Sequence, residues 1–259
     1  MSTLRQQNPL IHCMTNLVVT NFTANGLLAI GASPVMAYAK EETHEMAEAA
    51  DALLLNIGTP SETVVESMIH AGQAANKKGT PVILDPVGAG ATSFRNEMIA
   101  RILQHVDITL IRGNAGEIAA ILGEVGTVKG VDAQIKTDPV VLAKRAAEEL
   151  KTLIVVTGEQ DVVTDGSRTV TIKNGHEWLT RVVGTGCLLG GVLAAYLAIN
   201  RDDKIKAAAE GLAYYGVAAE RAYAKASDRG VASFQLEFLD ALSTLSEEEA
   251  ESFYRMEWL

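Results

Sequence analysis

Pro81-Val82-Ile83-Leu84-Asp85-Pro86-Val87-Gly88-Ala89-Gly90 joins an apolar run to a carboxylate and a glycine loop. A continuous apolar run as short as Pro81–Leu84 reads as a strand covered on both faces. Ser93–Gln104 then reads as a helix, Ile108–Ile111 as the next strand, and Ala115–Leu122 as the next helix. The same unit recurs outward from this stretch. Leu10–Met14, Pro34–Ala37, Ala52–Ile57 and Leu153–Val156 read as strands, and Val18–Ile30, Glu41–Ala50, Ser61–Lys78 and Pro139–Leu150 as helices. This alternation predicts an α/β three-layer sandwich, a mostly parallel central sheet with helices on both faces. Asp161–Thr164 and Thr169–Ile172, joined by Asp165-Gly166-Ser167, predict a hairpin and so an antiparallel edge. From Leu188 onward only helices are expected, at Leu188–Asn200, Lys204–Ala226, Val231–Leu245 and the acidic Glu247–Met256. Gly123–Lys136, rich in Gly and Val, reads as an irregular insertion. No linker or repeat divides the chain, so 1–259 reads as one domain.

Composition excludes several functions. The 259 residues carry 32 acidic and 22 basic side chains, a net charge of -10. That balance opposes non-specific binding to nucleic acid or to an anionic membrane. Cys13 and Cys187 form no disulfide framework. Met1–Leu10 lacks the apolar core of a signal peptide, so a cytoplasmic location is expected. Val182–Ile199 carries no charge, but it opens with Gly184-Thr185-Gly186. The continuous helix is therefore too short for a bilayer and reads as a core helix.

Ligands of open α/β sheets bind at the carboxyl ends of the strands. Asp85 follows one strand and suits a metal or phosphate environment, or it caps a turn. Arg112-Gly113-Asn114-Ala115-Gly116-Glu117 follows the next. Asn114 with Glu117 spells a capping box, while Arg112 can fork onto phosphate oxygens and Glu117 can serve an ATP–Mg²⁺ site. Thr157 follows a third strand and either contacts a nucleotide or closes a turn. Gly184-Thr185-Gly186-Cys187-Leu188-Leu189-Gly190-Gly191 opens an apolar helix whose bare N–H groups suit an anion. Cys187 sits in its first turn, either as a base beside that anion or as a small core residue. Together these parts match phosphoryl transfer, which needs positioning, a cation and charge neutralisation. There is no G-x-x-x-x-G-K-[ST] loop, the glycine spacing is wrong for a dinucleotide fingerprint, and the five histidines show no zinc-binding spacing.

At these residues the chain resembles the hydroxyethylthiazole kinase family of the ribokinase-like superfamily, from about His12 to about Ala226. Thr15-Asn16, Asn21-Phe22-Thr23-Ala24-Asn25-Gly26 and Gly31-Ala32-Ser33-Pro34-Val35-Met36 carry the resemblance, together with the four motifs above. It implies ATP-dependent phosphorylation of the alcohol of 4-methyl-5-(2-hydroxyethyl)thiazole, for thiamine synthesis and salvage. It implies substrate contacts from Met36, Asn16, Val18 and Gly184, and ATP contacts from Arg112, Thr157 and Asn114. Asp85 and Glu117 would face Mg²⁺, and Gly184, Thr185 and Gly186 would form the anion hole. Cys187 would take the place where the superfamily usually has an aspartate base. A thiol pKa of roughly 8.5, lowered at a helix N-terminus, is expected there. The resemblance also implies a homotrimer with pockets between subunits. A related kinase acting on hydroxymethylpyrimidine or pyridoxal is the alternative that the Asn21–Met36 block opposes.

Overall fold

The computed structural model describes residues 3–124 and 137–259. The expected insertion at 123–136 lies almost wholly outside the described residues. The order is α1 (Leu4–Gln7), β1 (Leu10–Met14), α2 (Thr20–Ile30), β2 (Ser33–Val35), α3 (Lys40–Ala49), β3 (Ala52–Asn56), α4 (Glu62–Lys78), β4 (Val82–Asp85) and α5 (Ser93–His105). Then come β5 (Leu110–Asn114), α6 (Ala115–Ile121), α7 (Pro139–Leu150), β6 (Leu153–Thr157), β7 (Asp161–Thr164) and β8 (Thr169–Ile172). A 3₁₀ turn at Glu177–Arg181 leads to α8 (Thr185–Ile199), α9 (Lys204–Ala226), α10 (Val231–Thr244), α11 (Glu247–Glu251) and β9 (Met256–Trp258).

One nine-stranded sheet runs β2-β1-β3-β4-β5-β6-β7-β8-β9. The first six strands in that order are parallel, and the last three pairings are antiparallel. Strand residues alternate between two cores. Leu54, Ile83 and Leu110 face α2, α8, α9 and α10, while Leu53, Leu55, Leu84 and Ile111 face α4 to α7. The three layers therefore match the expected sandwich. The chain leaves β1 for β2 on one side and returns to β3 on the other. The connections diverge between β1 and β3, which opens a crevice at their carboxyl ends.

Strand bodies agree with the apolar runs, but their ends do not. Pairing continues through polar residues, with Asn56 opposite Asp85 and Asn114 opposite Thr157. Backbone ladders tolerate a polar side chain at the rim, so candidate site residues sit in register rather than in free loops. The tail corrects the expected helix at Glu247–Met256. The helix stops at Glu251, and Met256–Trp258 forms β9 against β8, with Val170 opposite Trp258. Three residues are too few to show strand periodicity. Their pairing supplies backbone partners for β8, which would otherwise be the sheet edge.

Helix α8 lies over the sheet centre and packs on β1, β3 and β4, with α2 and α9 beside it. Gly26 of α2 makes the close approach possible. A Cβ there would lie 2.3 Å from Leu188 Cδ2 and 2.9 Å from its Cγ, and Leu188 is fully buried. Helix propensity alone favours alanine over glycine by about 1 kcal/mol, whereas overpacking costs roughly 1–3 kcal/mol. Gly26→Ala is expected to destabilise the protein in denaturant unfolding. A stabilised variant would show that α2 and α8 do not meet as closely as this.

Candidate active site

A line of hydrogen bonds, joined by one ion pair, crosses the carboxyl ends of five strands. Asn16, just past β1, donates from Nδ2 to Cys187 Sγ at 3.3 Å and to Asn56 Oδ1 at 2.9 Å. Asn56, ending β3, donates from Nδ2 to Asp85 Oδ2 at 2.7 Å. Arg112 Nη1 stands 3.7 Å from Asp85 Oδ1, an ion pair too long for a hydrogen bond. Arg112 Nη2 donates to Thr157 Oγ1 at 2.9 Å. The guanidinium also packs on Gly186, where a Cβ would lie 3.1 Å from Nη1.

Gly184 caps α8 with φ +94, and no side chain bonds the cap. The first N–H groups of the helix therefore lack a side-chain acceptor. The Thr185 hydroxyl donates to the Leu179 carbonyl at 2.6 Å, and Tyr215 Oη donates to the Thr185 carbonyl at 2.6 Å. Only the Thr185 backbone N–H is left for the site.

The capping box is real. Asn114 Oδ1 accepts from the Glu117 N–H, and Glu117 Oε2 accepts from the Asn114 N–H, both at 2.9 Å. Glu117 also reaches the neighbouring loop, with Oε1 accepting from the Gly88 N–H at 2.9 Å. The capping and site readings are thus compatible, because one carboxylate joins the loops after β4 and β5. Arg95 of α5 ties the loop after β3 to the loop after β4. It donates to the carbonyls of Ile57 at 2.9 Å, Val87 at 2.8 Å and Gly58 at 2.9 Å.

Burial dominates the electrostatics. It pushes the fully buried Asp85 carboxyl up to about 7, opposed by Arg112 and raised further by Glu117. Asp161, whose Oδ1 accepts from the Gly158 N–H, is raised by burial to about 6, with that bond and Arg112 opposing. The Cys187 thiol is raised, first by burial and then by the Asp85 charge. Bonds from the asparagines and the Arg112 charge oppose the shift. This corrects the expected lowering at a helix N-terminus, since desolvation outweighs the terminal dipole.

Asp85, Arg112, Thr157, Gly186, Asn16 and Cys187 therefore share one rim. Met36, just past β2, is half-buried against the core on the α8 side and stands outside this hydrogen-bonded line. Val18 is 70% exposed and donates its N–H to Asn16 Oδ1 at 3.2 Å. An open depression of about 680 Å³ adjoins Thr157, lined also by Ala115, Pro139, Gly158, Gln160 and Lys173. The sequence reading missed Asn56, Arg95 and Tyr215. Asn56 was detectable, as it ends an apolar strand like Asp85. Arg95 and Tyr215 lie within helices and carry no local signal.

Fold and rim together define a ribokinase-like α/β protein. A solved ribokinase-like superfamily protein from Enterococcus faecalis superposes with a TM-score of 0.65 at 13% identity, over 92% of this chain and 87% of that one, a likeness of fold alone. The family model for hydroxyethylthiazole kinase matches residues 1–248, and the chain belongs to that family. A hydroxyethylthiazole kinase from Shouchella clausii is 60% identical over 257 residues, 99% of each chain. The structure of a hydroxyethylthiazole kinase protein from Pyrococcus horikoshii OT3 has a TM-score of 0.89 at 42% identity, covering 99% of this chain and 96% of that one.

The raised Cys187 thiol has a direct readout. Cys13 is fully buried and pushed up to about 12, so alkylation of the folded protein reports Cys187. The thiolate is the reactive form. Iodoacetamide should react with it at neutral pH more slowly than with free cysteine, and the rate should still be climbing at pH 9. A plateau by pH 8 would overturn the raised value.

Proposed function

We propose that the chain transfers the γ-phosphoryl group of ATP to the hydroxyethyl alcohol of 4-methyl-5-(2-hydroxyethyl)thiazole, giving the phosphate ester used in thiamine synthesis and salvage. Family membership supports the reaction. The observation that carries the site assignment is the line Cys187–Asn16–Asn56–Asp85–Arg112–Thr157, which sets a thiol, a carboxylate and a guanidinium along one rim. Arg112, Thr157 and Asn114 hold the nucleotide, and the depression beside Thr157 takes its remainder. The Gly184, Thr185 and Gly186 backbone receives the moving phosphoryl group at the α8 start. Asn16, Val18, Met36 and Gly184 hold the thiazole. Cys187 Sγ receives the alcohol proton as the oxygen attacks phosphorus. The acceptor is the thiolate, which becomes the thiol on taking the proton. The loose transition state lets that proton leave late, so the small thiolate fraction left by a raised pKa is compatible with the role.

Mg²⁺ fits this rim. Asp85 Oδ1 is a buried carboxylate oxygen without a hydrogen-bond partner, and such hard donors suit a cation that keeps its waters and shares phosphate oxygens. Asp85 and Glu117 would hold it through water. Its chemistry there is neutralisation of phosphate charge.

The reading extends to one domain working as a homotrimer in the cytoplasm. Leu17 and Val18 directly follow Asn16 and Val183 directly precedes Gly184, and the three are 78%, 70% and 71% exposed. Exposed apolar side chains gathered at a site favour a pocket completed by a neighbouring subunit. Among the described residues no helix is long and apolar enough to cross a membrane.

ADP formation should depend on the thiazole alcohol and on Mg²⁺; turnover with pyridoxal or hydroxymethylpyrimidine but not with the thiazole would overturn the substrate. Cys187→Asp should keep or raise turnover, and a folded but inactive Asp variant would remove the base role. Mixing Met36→Asp chains with Cys187→Ala chains should recover activity that neither has alone. Verified mixed trimers without recovery would sink the shared pocket.

A further inference from the structure

We propose that Asn56 is a positioning residue that fixes how Asn16 meets Cys187 and, through the same amide, holds Asp85. The proposal rests on the kinase reading above and deepens it. Asn56 is buried, as are Asn16 and Asp85. Its amide has one allowed orientation. The Gly58 N–H can only donate, so the Asn56 atom 3.0 Å from it is the oxygen. Nδ2 therefore faces Asp85 Oδ2 at 2.7 Å, and Oδ1 also accepts from Asn16 Nδ2 at 2.9 Å. Asn16 is fixed a second way, because its Oδ1 accepts from the Val18 N–H at 3.2 Å. Its NH₂ group must then point at Sγ, 3.3 Å away. Cys187 thus accepts a hydrogen bond from Asn16 and does not donate one to it. The sulfur is held in place by a donor that favours its thiolate, the form that can take up the alcohol proton.

Gly58 forms the wall behind this arrangement. A Cβ there would lie 2.6 Å from Asn16 Nδ2 and 2.7 Å from its Cγ. Arg95 bonds the Ile57 and Gly58 carbonyls, so the wall is itself anchored. Gly58 therefore acts on Cys187 through the Asn16 amide, and Asn56 acts both through that amide and by its own approach to the thiol. The charged and titratable groups around it are Asp85 on β4, Arg112 on β5, Glu117 on α6, Asp161 on β7 and Tyr215 on α9.

Asn56→Ala, Gly58→Ala and the double variant separate positioning from general damage. Each single variant, checked for native circular dichroism and melting temperature, should lose about tenfold or more in kcat, since an interaction made only in the transition state lowers kcat. The KM for ATP should stay nearly unchanged in Gly58→Ala, whereas Asn56→Ala also releases Asp85. The double variant should lose little more than Asn56→Ala alone, because the two changes share the Asn16 amide and so do not add. Iodoacetamide labelling of Cys187 at fixed pH should slow in both single variants, as the sulfur loses a donor that favours its anion. This last readout needs no turnover, so it tests the positioning even if the wild-type protein ignores the thiazole, a result that would sink only the kinase reading. Unchanged labelling in either folded single variant, unchanged kcat, or fully additive losses would overturn the role of Asn56. If Asn56→Ala does not fold, Gly58→Ala, which removes no polar group, decides alone by the same two measurements.

Discussion

Helix α8 has almost no polar face, and that constraint organises the molecule. Eleven of its 15 residues are buried. Such a helix must be covered on every side. The sheet supplies one side through β1, β3 and β4, and α2 and α9 supply the flanks. Cover of this kind leaves the helix no freedom to slide. Its N-terminus is therefore delivered to the crevice between β1 and β3, where the strand connections diverge. The placing of Cys187 and of the uncapped N–H groups follows from packing far behind them.

The rim in front of that helix is built against local stability. Asp85 is buried beside Arg112 without a direct hydrogen bond between them, and Asp85 Oδ1 and Arg112 Nε both lack hydrogen-bond partners. A buried ion pair of this geometry recovers little of its desolvation cost, and Asp85 stays raised to about 7, chiefly by burial, despite the opposing Arg112 charge. Such groups persist where the scaffold over-determines them. Arg95, Glu117 and the two asparagines do this by joining four loops through hydrogen bonds. The result is a preorganised set of charges and dipoles, which is what a transferring phosphoryl group requires.

Much of this was legible in the chain. Among the described residues, apolar runs located six of the nine strands, since burial on both faces demands continuous hydrophobicity, and the Asp165-Gly166-Ser167 turn located two more. The strand-end rule then found Asp85, Arg112 and Thr157, because each directly follows such a run, and the glycines opening an apolar helix marked the Gly184–Cys187 turn. Asn56 escaped notice although it stands at the end of the Ala52–Ile57 run, because asparagine there also reads as an ordinary turn residue. Arg95 and Tyr215 were invisible, as their partners are carbonyls distant in sequence. β9 was hidden because its pairing with β8 decides it, not its three side chains.

Sequence alone determined every strand but β9, the layers, the glycine turn and the kinds of chemical group available, since periodicity and residue type are local properties. Tertiary structure decided which groups touch, the orientation of both asparagine amides and the direction of the Cys187 shift. Those depend on what surrounds each atom. A helix start predicts a lowered thiol pKa from local dipoles, whereas burial and the neighbouring Asp85 carboxylate, brought there by β4, raise it. Desolvation and through-space charge are sums over neighbours, and only the folded chain supplies the neighbours.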